Sequence, residues 1–373
     1  MAIDNKDKKI LNVPPLRFPE FTEEWKAEQL DNIATLSKGI GISKEQLSED
    51  GEPCILYGEL YTKYKSEIIK QVESKTDING SKLKRSKAND VIIPCSGETA
   101  VDIATARCVP FDNILFGGDL NVISLHQYDG AFMSYQLNGK RKYDIARVAQ
   151  GVSIVHLYGE HLKAIKTYNP TLPEQQKIAK LLSLLDDRID TQNKIIDKLK
   201  SLIKGIDEVV FQSCSKHCKL KEFDNQITAG RDKVEEGCFP LYGSTGVIGT
   251  TATPSYHEPL VLVARVGSIG CVQFVNIPCG VSDNTIVIRC GSKAKYVYYY
   301  LQNYNFERIT SGTTQPLITA KDVKHIDIPI IDSANDLKAI NTLDTLNMKL
   351  ELESNLYNTI LKQKAFLLQQ MFI

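Results

Sequence analysis

At 373 residues with 45 basic and 45 acidic side chains, the chain carries a formal charge of zero and a pI near 7.0, so it is not a polycation drawn to any polyanion, and a nucleic-acid surface would have to be local. Hydrophobic content of 42% and charged content of 24% are those of an ordinary soluble globular protein with room for two or three domains. No apolar run approaches the ~18 residues that cross a bilayer, and the start MAIDNKDKKILNVPP lacks the apolar core of a signal peptide; the expected location is the cytoplasm, with no membrane partner.

Nine cysteines without a CxxC pair are expected to stay reduced there. Cys214 and Cys218 flank His217, but no second ligand pair stands at a suitable spacing, so no metal is expected. In chain order, Pro14, Pro15 and Pro19 forbid regular structure, and Phe18, Phe21 and Trp25 can staple this segment onto a domain. Short β-type runs at 54–56, 91–93, 114–116 and 122–125 are separated by Gly, Asn and Asp, which predicts a sheet with long loops. Two of those loops are basic: KLKRSKAND with Lys82, Lys84, Arg85 and Lys87, and NGKRKYD with Lys140, Arg141 and Lys142.

A helix is predicted over 171–213. Thr171 and Glu174 stand at capping-box spacing with Pro173 in the first turn. Ile178, Leu182, Leu185, Ile189, Gln192, Ile196, Leu199, Ile203, Ile206 and Val210 then alternate four and three apart, a heptad seam broken only by Gln192. After it, β-type runs return at 261–264, 271–275 and 286–289. A second helix, 333–373, opens on Ser333 and Asp336 in place of the cap. Its seam is the first one displaced by 161: Ala339, Leu343, Leu346, Leu350, Glu353, Tyr357, Ile360, Lys364, Leu367 and Met371. Gln192 and Glu353 are read as register-setting polar positions.

The repeat extends beyond the helices. Gln150 to Lys166 aligns at the same displacement with Ser311 to Asp327, VIIPCSGETAV from Val91 matches VLVARVGSIGC from Val261, and GDLNVI from Gly118 matches SDNTIVI from Ser282. YGEL at Tyr57 corresponds to YGST at Tyr242, and LDN at Leu30 to FDN at Phe223. This is a duplicated domain rather than a solenoid: a globular unit at 1–170, its helix at 171–213, a second unit at 214–332 and its helix at 333–373. The expected fold class is α/β (α+β), with two tandem globular units, each followed by a long helix. If the second unit's ends lie together, the helices pair as an antiparallel coiled coil with a pseudo-twofold axis, a rod about 48 Å long at roughly 1.5 Å per residue.

Such symmetry suits duplex DNA, whose sites on one face recur every ~34 Å. Units with different loops predict an asymmetric, bipartite target. Candidate contacts lie in the loops. Thr313, Thr314 and Gln315 in TSGTTQPL suit phosphates and adenine, or form a plain polar turn. Ser244 and Thr245 in LYGSTGVIG suit phosphate, or are hairpin chemistry. Arg265 in ARVGSIG could reach guanine, or pair with a local carboxylate. Arg231 and Lys233 in TAGRDK match the place of Lys38 and Lys44 in LSKGIGISK. Tyr57, Tyr242, Ser96, Ser153 and Ser268 stand in the same matched segments. The lysine-rich loops serve as phosphate contacts or solvated faces. No nucleotide-binding Gly-rich loop, [ND]PP[YF] tetrapeptide, GKT/GKS loop, nuclease-type acidic pair with lysine or histidine cluster is present, so the chain reads as a noncatalytic recognition part.

Two units, two long helices and LPEQQKIAKLLSLLDDRID (Leu172 to Asp190) together resemble the DNA-specificity subunit of type I restriction-modification enzymes, from LRFPEF at Leu16 through HLYGEHLK at His156 to the last helix. The resemblance implies two target recognition domains that each read half of a split double-stranded site, and two helical spacers that dock two methyltransferase subunits. No cofactor is expected in this chain: S-adenosylmethionine belongs to the adenine-methylating partner, and ATP and Mg to the restriction subunits that translocate and cut. SANDLKAI (Ser333 to Ile340) departs from the PEQQKIA pattern, and PCSGET stands where the second unit has ARVGSIG, so no arginine contact carries over to Cys95. Apolar residues off the seam, Leu181, Leu184, Ile195 and Leu202 in the first helix and Leu352, Leu361, Phe366 and Leu368 in the second, are the expected docking surface. The alternative reading is a DNA-binding coiled-coil scaffold or repressor that acts without modifying partners.

Overall fold

A computed structural model describes residues 12–151, 154–212, 216–222, 226–312, 316–330 and 334–373. The chain divides into two compact units: Met1–Asn193 with Asn355–Ile373, and Lys194–Ser354. Each long helix, Leu172–Gln212 and Ala334–Gln370, gives one half to each unit. The expected cap residue Ser333 and the FDN segment at Phe223 lie outside the described residues.

The first unit is built on a four-stranded antiparallel sheet ordered Ala34–Lys38, Leu120–Leu125, Asp90–Pro94, Arg107–Val109. Alternate side chains of a strand point to opposite faces. Val91, Ile93 and Ile123 therefore enter one core, and Ile92, Leu120 and Val122 enter another. Burial on both faces explains why the strand sequence is an unbroken apolar run. The second unit repeats the plan with Gln226–Ala229, Thr285–Arg289, Leu260–Ala264 and Val272–Val275; Val261, Val263, Ile286 and Ile288 face one core, and Leu260, Leu262 and Val287 the other. Each unit adds a two-stranded antiparallel ribbon, Lys26–Gln29 with Lys166–Asn169 and His217–Lys219 with Asp327–Pro329. Each also has a parallel pair, Glu52–Ile55 with Leu115–Phe116 and Phe239–Gly243 with Gly280–Val281.

Backbone hydrogen bonds give the register of the duplication. Cys95 N–H donates to Asp119 O at 2.7 Å, and Cys95 O accepts from Leu157 N at 2.8 Å; Arg265 N–H donates to Asn284 O, and Arg265 O accepts from Ile318 N, both at 3.0 Å. Gly39 N–H on Leu120 O repeats as Gly230 N–H on Thr285 O. Two expected matches shift. Gly117 N–H donates to Ile55 O as Ser282 N–H donates to Tyr242 O, so the counterpart of Tyr242 is Ile55 rather than Tyr57. Leu30 N–H on Ile165 O repeats as Leu220 N–H on Ile326 O, so Leu220, not Phe223, takes the place of Leu30. Side chains differ across these matches because backbone pairing does not read them.

No described seam position of either long helix is exposed, and Gln192 is buried. In the first unit Arg17 binds Glu174, Leu16 N–H binds Gln370 O, and Asp186 pairs with Lys364 at 2.6 Å. Residues 174 and 370 thus neighbour one arm while 186 faces 364, and the two helical segments run antiparallel. Ile178, Leu182, Leu185, Ile360, Met371 and Phe372 share one core with Trp25 and Phe132. In the second unit Val210 and Phe211 share a core with Ile340 and Leu343.

The Pro-rich arm is stapled as expected: Trp25 is buried, and Phe18 packs on the same core. The expected capping box is corrected. The Glu174 carboxylate is fully buried and accepts two 2.7 Å bonds from Arg17 and one at 3.3 Å from Trp25 Nε1, so it fastens the arm instead of capping the helix. The basic loops are also partly regular: Lys84–Arg85 is a strand on Leu115–Phe116, and Lys142–Val148 is a helix.

Candidate nucleic-acid interface

In the first unit, four elements bring polar and aromatic groups to one patch. Lys38 ends its strand, and Gly39 follows it because any Cβ there would collide with the Gly117 carbonyl. Tyr61, on the short helix Glu59–Thr62, donates to Ser96 O at 3.0 Å. Gly97 leaves room for that phenol, since a Cβ there would stand 3.0 Å from the Tyr61 hydroxyl. Ser96–Gly97 pairs with Val155–His156, and Ser96 Oγ lies 3.4 Å from His156 Nδ1. The His156 ring stacks at 6.2 Å on Tyr158, over which Lys38 Nζ stands at 5.6 Å. Tyr57, Tyr61 and Tyr158 are exposed. A cation, hydroxyls, an imidazole and exposed rings together can hold phosphates and contact bases. Cys95 contributes none of this: it is buried, and burial pushes its thiol up to about 11 despite the nearby Lys38.

In the second unit three loops meet at Ser244. Its hydroxyl donates at 3.3 Å to Val266 O or Asn284 O, and Gln273 Nε2 donates to Gly243 O at 2.9 Å. Tyr242, next to last in the strand Phe239–Gly243, is half-buried, and Thr245 and Ser268 are exposed at loop tips. Arg265 is half-buried; its Nη1 donates weakly to Asp283 O at 3.4 Å, and its Nε is buried with no hydrogen-bond partner. Among the described residues no carboxylate pairs with it, which leaves its fork available to a ligand. Asp232 accepts from Val281 N–H at 2.7 Å and Ser255 Oγ at 2.6 Å, pinning the loop on which Arg231 and Lys233 are exposed. Arg231 follows the shared glycine whereas Lys38 precedes it, so the expected match between them is off by two positions.

The family model of the type I restriction modification DNA specificity domain matches residues 22–201 and 218–362. The chain belongs to this family of DNA specificity subunits. A putative type I specificity subunit of Mycoplasma genitalium is 24% identical over 287 residues, 68% of this chain and 73% of that protein. The crystal structure of a type I restriction-modification S subunit from M. genitalium aligns with a TM-score of 0.72 at 20% identity, over 97% of this chain and 99% of that one. A structure described as the basis of complex assembly and conformational transition of the type I R-M system aligns with a TM-score of 0.51 at 15% identity, over 96% and 99%. At these identities both structures speak to the fold.

Within this specificity subunit the remaining expected contacts divide. Lys44, Lys82, Lys87 and Lys140 are exposed, and Lys84 and Lys142 half-buried. Arg85 is corrected to a structural role, since its guanidinium grips Glu52 at 2.6 and 3.0 Å. Arg141 is corrected likewise: it donates to the Ile373 main-chain oxygen at 2.8 Å, pairs with Asp144 at 3.1 Å and lies over Tyr168. Ser153, Thr313, Thr314 and Gln315 lie outside the described residues. Among the helix residues, Leu184, Leu202, Leu352, Leu361 and Phe366 are exposed and Ile195 is half-buried. Leu181 and Leu368 are corrected, for both pack on the core around Trp25 and Phe372.

Sequence reasoning passed over Tyr61, His156 and Tyr158; the signal for the last two was their place in a segment matched between the repeats, and Tyr61 directly follows another, YGEL. Among the described residues no group of His, Cys, Asp and Glu could hold a metal, and no helix is long and apolar enough to cross a membrane. Cys214 lies outside the described residues.

Proposed function

We propose that this specificity subunit is a noncatalytic reader of an asymmetric, bipartite double-stranded DNA site in the cytoplasm. The observation that carries this reading is one backbone frame used twice with different side chains: Cys95 and Arg265 make the same pair of main-chain bonds, but only the second offers a guanidinium. One half-site is then met by Lys38, Tyr57, Tyr61, Ser96, His156 and Tyr158, the other by Arg231, Lys233, Tyr242, Ser244, Thr245, Arg265 and Ser268. Bidentate arginine selects guanine, and neutral hydroxyls and imidazole select differently, so the halves differ in sequence.

Two methyltransferase subunits dock on the exposed apolar residues of the long helices, Leu184, Leu202, Leu352, Leu361 and Phe366, and methylate adenine with S-adenosylmethionine. Restriction subunits add ATP- and Mg-dependent cleavage. Adenine-methylation mapping in cells with and without the gene tests this. The expected result is a split motif that vanishes on deletion; purified chain with its methyltransferase subunit that modifies no duplex in a sequence-dependent way would refute it.

A further inference from the structure

Corresponding points at the ends of the two long helices are finished differently. In the first unit Phe372 lies 5.2 Å from Phe132, with rings tilted by 37°. In the second Phe211 lies 5.5 Å from Tyr296, again at 37°. Phe132 and Tyr296 are each the third residue of a nine-residue helix, Gly130–Asn138 and Ala294–Gln302. Counted from those helices, Gly139 corresponds to Asn303 and Arg141 to Asn305. Gly139 closes on Leu368, whose Cβ would be 3.7 Å from a Cβ at the glycine. At the matching place Asn303 Nδ2 donates to Asp207 Oδ2 at 3.1 Å.

The difference lies beside these pairs. In the first unit Arg141 occupies the space, stacked at 5.4 Å on Tyr168 and bonded to the Ile373 oxygen. In the second unit a recess of about 640 Å³ opens instead. Phe211 and Tyr300 meet edge-on at 5.6 Å on its wall, with Tyr304 6.3 Å from Tyr300. Asp207 lines it, with Oδ1 buried and lacking any hydrogen-bond partner. Lys204 and Glu208 stand within 4.0 Å of each other on the outer face and offset one another's charge, and Arg308 at the rim is exposed and therefore screened. Lys204 and Arg308 thus balance Asp207 and Glu208 in formal charge, and what the recess leaves unmet is the hydrogen-bonding capacity of Asp207 Oδ1, on a carboxyl that burial holds above its usual range.

We propose that this recess receives an arginine side chain of the methyltransferase subunit, its guanidinium laid on the tyrosine wall and its N–H groups donated to Asp207. The partner's identity rests on the proposed function; the chemistry rests on the recess. An orphaned carboxylate oxygen calls for a donor, and aromatic faces favour the flat, weakly hydrated guanidinium over the compact ammonium of lysine. The first unit supplies such a group from its own chain at the equivalent place.

The full chain, carrying fluorotyrosine, is titrated with N-acetyl-arginine methylamide and, separately, with its lysine and citrulline counterparts. The expected result is a saturable millimolar shift of the Tyr300 and Tyr304 signals, weakened about tenfold in Asp207→Asn and for the other two compounds. Absence of a saturable shift, or equal binding of the lysine compound, overturns the proposal. Assembly is the second readout: Asp207→Asn, with its melting curve checked against the parent, should bind the methyltransferase subunit about tenfold more weakly, and unchanged assembly overturns the assignment to that partner. If the parent chain itself fails to assemble, the proposed function fails, while the titration still decides the recess. Should Asp207→Asn not fold, Tyr304→Leu removes part of the ring wall and should weaken the arginine titration read at Tyr300, and unchanged binding in that variant overturns the proposal.

Discussion

The two units share one backbone frame, and each seats a ring from the end of a long helix on a domain helix, Phe372 on Phe132 and Phe211 on Tyr296, but the charges beside those rings differ in depth. The first buries its network: Glu174 binds Arg17, and Lys364 sits between Glu67 at 2.5 Å and Asp186 at 2.6 Å, with the Tyr135 hydroxyl donating to Asp186 at 2.7 Å. The second keeps its pair nearer the surface, with Asp344 accepting from Tyr299 at 3.0 Å and pairing with half-buried Lys295 at 2.5 Å. Main-chain hydrogen bonds tolerate any side chain, so the duplicated frame persists while fastenings and loops diverge. That freedom lets one fold present two different loop surfaces.

The contrast breaks most visibly at Lys364. Lys364→Ala takes from the buried Glu67 and Asp186 carboxylates the cation that ion-pairs with both, and should cost about 3–5 kcal/mol in chemical denaturation. A loss for Lys364→Ala no larger than for a surface lysine would contradict the charge-fastened picture. Next in size is Arg265→Ala, expected to lose about 1–3 kcal/mol of base discrimination at one position of one half-site. Methylome sequencing reads this directly, and relaxation of both halves would refute the assignment of Arg265 to a single half-site.

Leu184→Asp should weaken binding to the methyltransferase subunit about tenfold, roughly 1.4 kcal/mol, while its melting curve stays close to the parent's; a large fall in melting temperature would place Leu184 in the fold instead. The smallest effect is alkaline. Burial pulls the Lys364 ammonium down, but Glu67 and Asp186 outweigh it and hold its pKa above the usual lysine value. A folded pKa raised above the unfolded one means that this contribution is complete below about pH 10.4 and is lost as pH rises through the folded value. Stability measured from pH 9 to 12 should therefore fall less steeply in Lys364→Met than in the parent.

Much of this was legible in the chain. Seam residues from Ile178 to Met371 repeat at heptad spacing, and strands such as Asp90–Pro94 and Leu260–Ala264 stand out as apolar runs between turn residues. The helices Gly130–Asn138 and Ala294–Gln302 were not. Phe132 to Leu137 is buried all round, so no polar face marks a period, and KYVYYYL is as rich in rings and β-branching as a strand. Arg85 and Arg141 read as contacts for a polyanion because their carboxylate and carbonyl partners are remote in the chain. The same distance hid the role of Glu174.

By itself the sequence determined the duplication, the two long helices with their seam, and the family, because each is a periodic or repeated pattern along the chain. Tertiary structure alone decided what Lys364 does in an apolar seam, which arginines remain open to a ligand, and that Tyr61, Ser96, His156 and Tyr158 form one patch. Those outcomes depend on pairings across tens to hundreds of residues, and hydrogen bonds and ion pairs, unlike periodicity, leave no trace in sequence order.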